Sequence, residues 1–417
     1  MSPVLIRRVR LGAAFVLLTY LILHFINHAL GLISLDATEA GRRWFLVMWR
    51  NPIGTLALYG AITVHGVLAL WLLYQRRSLR MPAWEAAQYG LGLVLPALLA
   101  AHVVGTRIAW WQFGTEDRYP RVLLGYWVVA PERGIWQAIT LTMAWIHACI
   151  GVHYWLRFRR WYPRVAAGLF AFALLLPTFA LVGYVAGGRE VVALARTPGW
   201  REALARVTHP PSPAQSATLV QIRLRFLEAY LVALVGVFAA RGVRHLWQRR
   251  RSIRVSYPGE RAVTVPVGFT ILEASRTAGV PHASVCGGRG RCSTCRVRVV
   301  LGLTDLPTAS EAEQRVLARV GAAPDVRLAC QTRPVRDVAV APLLAPSTAP
   351  TDALAADVRQ GRERELAVLF ADLRGFTRMA EHKLPYDVVF VLNRYFETVG
   401  TAITTAVESP ISSRATA

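Results

Sequence analysis

Lysine is almost missing from this chain: among 48 lysines and arginines, Lys383 is the only lysine. Acidic residues are also scarce, 25 in all, which leaves a formal net charge of +23 over 417 residues. Such an excess ordinarily raises nucleic acid as a partner. Here the densest arginine clusters flank apolar stretches, a pattern of membrane topology that argues against nucleic acid. The first apolar segment is too long for a leader and has no cleavage site after it, so it reads as an anchor and not a signal peptide. Cysteine is rare as well, five residues, four of them in the second half. Apolar residues are what the chain has in plenty. At 54% hydrophobic and a mean hydropathy of +0.35 it is too apolar for a soluble protein of this length.

Six apolar segments, near 11–33, 53–74, 88–110, 135–156, 165–186 and 218–240, each reach the roughly 20 helical residues needed to cross a bilayer. Arginines gather at Arg7, Arg8 and Arg10, at Arg76, Arg77 and Arg80, at Arg157, Arg159, Arg160 and Arg164, and at Arg241, Arg244 and 249–251. With six crossings, all four clusters fall on the face shared by the N-terminus and the soluble part. The positive-inside rule makes that face cytoplasmic, giving a multi-pass protein of a bacterial-type inner membrane with both termini in the cytoplasm. Trp110, Trp111, Trp136 and Trp161 sit at segment ends, as interfacial tryptophans do.

Histidines inside these spans are costly and point to function. A single one reads as a helix–helix hydrogen bond, but His24, His28, His65, His102 and His147 are spread over four consecutive spans. Neutral imidazole is an axial haem ligand, and a four-helix bundle can hold cofactors between facing helices. At a rise of about 1.5 Å per residue, His65 and His147 both lie about 15 Å from the cytoplasmic helix ends, and His24 and His102 about 21–22 Å. Helices 1 and 3, and 2 and 4, are diagonal partners in an up-down bundle, so depth and diagonal give the same two pairs and two haems. His28, one turn from His24, is the alternate outer ligand, and His153 is the weaker alternate for the inner pair. Cys149 lies in an apolar helix and reads as a small buried hydrophobe.

The histidine placement and the run LILHFINHALGLISL resemble the dihaem cytochrome b anchors of the succinate dehydrogenase and fumarate reductase superfamily, over roughly residues 5–187. That resemblance implies b-type haems with paired histidine ligands and electron exchange with membrane quinone.

In the second half, CGGRGRCSTC carries Cys286, Cys292 and Cys295, and RLACQTRP carries Cys330. Four thiolates can hold the two irons of a [2Fe–2S] cluster, and three on one loop with one distant differs from the paired knuckles of a zinc ribbon. A structural zinc site or incidental cysteines are the alternatives. Gly287, Gly288 and Gly290 let the loop wrap a cluster and aim N–H groups at its sulfurs. The approach IRVSYPGERAVTVPVGFTILEASRTAGV reads as two short strands, a turn and a helix. Over about 252–343 these features resemble the [2Fe–2S] ferredoxins, with the β-grasp fold that family implies. The first gap, C-x5-C, is nearer to adrenodoxin-like and bacterial vertebrate-type members than to plant-type ones. A thiolate-bound cluster implies a reducing compartment and argues against disulfides.

APLLAPSTAPTDALAA at 341–356 reads as a linker, and the charged, alanine-rich stretch Asp352–Glu365 as a signalling helix. The run Leu366–Phe370 reads as a strand ending at Asp372, where a carboxylate suits a divalent metal, although Asp372 could equally cap the turn that follows. FADLRGFT and its surroundings, about 365–408, resemble class III nucleotide cyclases. The resemblance implies Mg²⁺ or Mn²⁺ held by Asp372 and the carbonyl of Leu373, ATP as substrate, and a homodimer. The second metal aspartate of that family has no counterpart before the tail SPISSRATA, so the chain alone is expected to make no cyclic nucleotide.

The expected architecture is a multidomain membrane protein: a six-helix cytochrome b-like anchor (1–250), an α+β ferredoxin-like domain (251–343), a linker or signalling helix (344–364), and an incomplete α/β cyclase domain (365–417). The expected function is redox-linked regulation of a cyclase by the quinone pool. The alternative is a membrane cytochrome b–ferredoxin electron carrier without cyclase activity.

Overall fold

A computed structural model describes residues 3–76, 79–157, 159, 161–248, 251–347 and 372–406. The expected signalling helix at Asp352–Glu365, the strand at Leu366–Phe370 and the tail at 409–417 lie outside these residues. So do Arg77, Arg160, Arg249 and Arg250.

Among the described residues ten α-helices occupy the first part: α1 (Pro3–Ala29), α2 (Leu35–Trp49), α3 (Pro52–Gln75), α4 (Ala83–Val103), α5 (Ala109–Phe113), α6 (Tyr119–Leu124), α7 (Pro131–Leu156), α8 (Tyr162–Leu194), α9 (Trp200–Thr208) and α10 (Pro213–Gln248). Among the described residues, six helices are long and apolar enough to cross a membrane: Leu5–Leu32, Pro52–Gln75, Ala83–Phe113, Pro131–Leu156, Tyr162–Leu194 and Pro213–Trp247. Large apolar side chains such as Phe170, Leu231 and Val232 stand exposed on them. In water that would be a liability, whereas in lipid it is the favoured face. The chain is a membrane protein. The helices overrun most of the sequence-derived spans by several residues. α2 and α9 are additional helices between spans, for which no element was expected.

One helix crossing rests on two glycines. A Cβ at Gly31 would stand 2.3 Å from the Gly183 carbonyl oxygen, and one at Gly183 would stand 2.1 Å from the His28 carbonyl oxygen. The start of the 3₁₀ turn after α1 and the middle of α8 therefore touch through backbone, the small-residue packing that membrane helices use. Span 3 changes pitch within its length: Val104–Ile108 is a π turn joining α4 to α5, and a second π turn, Gly125–Val129, follows α6. Such turns mark places where one residue has been squeezed into a helix, often at functional sites.

After α10 the chain builds a mixed five-stranded sheet from β1 (Ser252–Ser256), β2 (Ala262–Pro266), β3 (Arg296–Leu301), β4 (Val326–Leu328) and β5 (Val338–Pro342), in the order β2-β1-β5-β3-β4. The β1–β5 pair is parallel and the others antiparallel. α11 (Ile271–Thr277) opens with a capping box: Thr270 and Glu273 each satisfy the other's backbone N–H. Its Ile271 and Leu272 pack on Val255, Val265, Val297 and Val340 to form the core. α12 (Glu311–Arg319) lies beside β4 and sends Glu313 into the interior. In the last described segment, α13 (Phe376–His382) and α14 (Pro385–Ala406) form a helical pair, a unit described by itself.

Candidate functional site

The β3–β4 ladder delivers two of the four cysteines. Cys295 immediately precedes β3 and Cys330 lies two residues beyond the end of β4. The Ala329 N–H donates to the Cys295 carbonyl (2.9 Å) and the Leu272 N–H to the Ala329 carbonyl (2.9 Å). Their sulfurs stand 3.3 Å apart. Glu313 fixes this corner, since its carboxylate accepts from Arg327 through both oxygens (2.9 and 3.1 Å), from the Leu328 N–H (2.9 Å) and from the Thr332 hydroxyl (3.2 Å).

The other two cysteines ride on the loop between α11 and β3. Gly287, Gly288 and Gly290 there take φ of +68°, +88° and +61°, conformations in which a side chain is strained. All four cysteines are buried and free. The Cys286 thiol lies within hydrogen-bonding reach of Cys292 and Cys330. These two would donate to its thiolate, so Cys286 is held well below the ordinary thiol value and the other two are pushed up. The first proton thus leaves at Cys286, and cation charge from a bound group is what would release the rest.

Donors to sulfur are already in place. Gln331 Nε2 is 3.3 Å from Cys330 Sγ. Thr294 Oγ1 accepts from the Val285 N–H (3.1 Å), which leaves its own proton for Cys292 Sγ at 3.1 Å. Among the described residues no three metal-ligating side chains form a group that could hold a metal ion. The four sulfurs instead form one chain of contacts, Cys292 to Cys286, Cys286 to Cys330 and Cys330 to Cys295, and four thiolates are the donor set a dinuclear cluster requires. Sequence reasoning missed Glu313, Gln331 and Thr294, which carry no motif. It also missed Arg296, fully buried beside Cys295 with Nε and Nη1 unpartnered.

The expected histidine pairs are neighbours in space. The rings of His24 and His102 have centroids 6.1 Å apart, and those of His65 and His147 6.3 Å. Two imidazoles bonded to one metal through nitrogens about 2 Å away would put their ring centres about 6.3 Å apart. His147 Nδ1 lies 3.2 Å from the Gln88 carbonyl, a bond that would leave Nε2 as the acceptor nitrogen. Gly92 faces the same ring, and a Cβ there would stand 2.9 Å from His147 Cε1. Gln88 Nε2 is also 3.5 Å from His147 Nε2.

The outer pair opens on a cavity of about 110 Å³ lined by His24, His28, His102, Arg107, Tyr59 and Tyr119, among others. His28 Nδ1 is 3.4 Å from the Tyr119 hydroxyl, which accepts from Asn27 Nδ2 at 2.8 Å. Arg42 and Arg50 are both committed to Asp117. Arg107 is different: Nη2 donates to Thr55 Oγ1 at 3.2 Å, while Nη1 is buried without a hydrogen-bond partner. In an α-helix, position i+5 points about 140° away from position i. The π turn after His102 closes i to i+5 and brings Arg107 round to the His102 face.

His153 is exposed, with Nδ1 2.7 Å from the Tyr162 hydroxyl, and belongs to neither pair. Cys149 packs among Phe25, Trp145 and Leu176. Asp372 is exposed, and its Oδ1 accepts from the Leu373 N–H at 2.8 Å, while the Leu373 carbonyl accepts from the Phe376 N–H at 3.2 Å.

Comparison with known proteins bears on the cysteine-rich part. A family described as "2Fe-2S iron-sulfur cluster binding domain" matches residues 256–335. The chain is 36% identical over 107 residues to a subunit of the Na(+)-translocating NADH-quinone reductase of Methylococcus capsulatus, 25% of each chain. It is 34% identical over 65 residues to 2Fe-2S ferredoxin-5 of Aquifex aeolicus, 15% of this chain and 68% of that one. An ISC-like [2Fe-2S] ferredoxin structure from Pseudomonas putida matches at 30% identity, covering 21% of this chain and 90% of that chain with a TM-score of 0.19. The chain spans about a quarter of the length of the reductase subunits it matches.

Proposed function

We propose that this chain, which belongs through residues 256–335 to the family of 2Fe-2S iron-sulfur cluster binding domains, is a membrane-bound electron carrier between quinone and its own iron–sulfur site. The observation that carries the reading is the coexistence, in one compact unit, of four buried, mutually contacting cysteines and two membrane histidine pairs at the metal-bridging spacing.

In this reading Cys286 and Cys292 hold one iron and Cys295 and Cys330 the other. The cluster, when bound, supplies a one-electron store. Thr294 and Gln331 donate to the sulfurs, which favours the more negative, reduced state. His65 with His147, and His24 with His102, hold two b-type haems, with His28 as an alternate outer ligand. Arg107 offers its free nitrogen to a carboxylate on the outer group. Membrane quinone is the small-molecule partner, in keeping with the quinone reductase subunits that the soluble part resembles. The domain limits follow as 1–250 for the anchor and 251–343 for the ferredoxin part, with the arginine-rich face and both termini in the cytoplasm of a bacterial-type cell.

A second reading, carried by FADLRGFT at 370–377, makes the same redox unit the regulator of a class III cyclase in a homodimer. Asp372 and the Leu373 carbonyl would then contribute to a Mg²⁺ or Mn²⁺ site for ATP.

Reduced-minus-oxidised absorbance of purified membranes, with low-temperature EPR on the same sample, tests the first reading. Paired-histidine haem bands and a rhombic signal lost in Cys330→Ser are expected. A colourless protein, or stoichiometric zinc on the four cysteines, overturns it. Cyclic nucleotide formation lost in Asp372→Ala would carry the second reading.

A further inference from the structure

We propose that Trp84 is the contact through which electrons pass between the iron–sulfur site and the His65–His147 pair; the proposal rests on the carrier reading above. Trp84 stands in the first turn of α4, beside the end of α7. Its indole stacks on Tyr154 with ring centroids 3.5 Å apart and planes 16° from parallel. A tryptophan at a helix end is ordinarily an interfacial anchor wetted by lipid headgroups. This one is instead half-buried against protein.

The cover is the cluster-binding loop. A Cβ at Gly287, the residue after Cys286, would stand 3.2 Å from Trp84 Cζ2 and 3.3 Å from Cη2, so the six-membered edge of the indole lies against backbone directly bonded to a ligand residue. Two guanidinium groups complete the enclosure. Arg157 lies over Tyr154 at 4.0 Å and Trp84 at 5.4 Å from the ring centres, and Arg289 over Trp84 at 5.5 Å. Arg157 also donates to the Val285 carbonyl, one residue before Cys286. Arg80 reaches the Thr277 carbonyl at the end of α11 (3.2 Å). The buried Glu85 takes both nitrogens of Arg76 (2.8 and 3.1 Å), fastening the start of α4 to the end of α3. The loop is therefore seated at one place on the membrane helices, and an aromatic pair fills that seat.

From this seat the inner histidine pair is close along both helices. Gln88, one turn after Trp84, is the residue whose carbonyl meets His147 Nδ1 at 3.2 Å. Tyr154 is seven residues from His147 on α7, about 10 Å along the axis. The outer pair lines the Arg107 cavity. The step itself moves one electron and no proton. Were an iron held by His65 and His147 and a cluster by the four cysteines, the first would give up the electron that the second takes up, with quinol as the reductant that reloads the pair. Trp84 forms no bond and is not oxidised in the net reaction. It provides continuous packed matter where a gap would otherwise separate the loop from α4.

The test uses the full chain with Trp84→Leu and Trp84→Phe. Each variant is reduced with quinol, and the appearance of the cluster EPR signal is timed against the haem absorbance. Trypsin cleavage at Arg289 and Arg291 reports separately whether the loop stays seated. The expected result is unchanged haem and cluster content, unchanged cleavage, and cluster reduction slowed roughly tenfold or more in Trp84→Leu, with Trp84→Phe restoring most of the rate. Wild-type timing in Trp84→Leu overturns the proposal. Slowed reduction accompanied by faster cleavage also overturns it, because Trp84 would then hold the loop rather than pass electrons. A wild-type protein without haem overturns the carrier reading itself, and is recognised before any variant is made.

Discussion

Replacing Glu313 by alanine is expected to loosen the corner of the iron–sulfur domain that delivers Cys330. Glu313 is 1% exposed and Arg327 8%, so neither charge is shared with water. The carboxylate accepts four hydrogen bonds, two from Arg327, one from the Leu328 N–H and one from Thr332. Removing one partner of a buried ion pair costs about 3–5 kcal/mol, because the remaining charge is stranded. The orphaned Leu328 N–H, in the strand two residues before Cys330, belongs to the same loss and puts the expected cost near 4 kcal/mol. Against a typical stability of about 5–15 kcal/mol that is a large share.

Two further variants separate charge from shape. Glu313→Gln keeps an oxygen for Leu328 and Thr332 but not the charge, and is expected to cost about half as much. Glu313→Leu with Arg327→Leu removes both charges together but still orphans the Leu328 N–H, and is expected to cost about 1–3 kcal/mol, less than the single variant. Guanidinium unfolding of the detergent-solubilised chain, followed by the visible absorbance of the cluster, gives the stabilities. The rate of iron loss to a chelator reports on the cysteine corner. A cost below about 1 kcal/mol for Glu313→Ala would refute the reasoning, as would a double variant no more stable than the single one.

Arg296→Leu removes a buried cation next to Cys295 and is expected to move the cluster midpoint negative by about 60 mV, a tenfold change in a one-electron equilibrium; a spectroelectrochemical titration showing no shift or a positive one contradicts this. His147→Ala is expected to abolish one haem signal and His24→Ala the other, so that loss of both signals in either variant would show that the pairs are not separate sites. Gly183→Val forces a side chain into the backbone of His28 and is expected to cost about 3 kcal/mol or more, with the outer haem disturbed before the inner one when absorbance is followed on heating.

Much of the cysteine site was legible because its information is local. C-x5-C-x2-C with glycines between the cysteines dictates a wrapped loop whatever surrounds it, and alternating apolar residues at 252–266 mark the strands that carry it. The histidine pairs were legible for a different reason: a bilayer imposes parallel helices, so depth counted along the chain becomes position in space. Where a partner came from elsewhere, the sequence was silent. Nothing ties Glu313 to Arg327, or Gly31 to Gly183 across 152 residues, because both are meetings of elements whose packing has to be known first. Arg107 was hidden by a sharper cause. Regular helical periodicity puts it on the wrong face, and only the π turn at Val104–Ile108 returns it to the side of His102.

The arginines show most clearly how one pattern can serve two purposes. Arg76, Arg80 and Arg157 cluster beside apolar spans, and the positive-inside rule accounts for them fully as topology signals. In the structure Arg76 pins Glu85, Arg80 reaches the end of α11, and Arg157 covers Trp84 and holds the Val285 carbonyl. Topology needs only positive charge, and lysine would provide it. These sites need more: planar groups that stack on rings and reach two acceptors at once, which arginine has and the compact ammonium of lysine does not. A chain with Lys383 as its only lysine meets both demands with one residue type. The two can be told apart by exchange. Lysine at 76, 80 and 157 should preserve membrane insertion, because the charge is kept, while unseating the iron–sulfur loop and exposing Arg289 to trypsin.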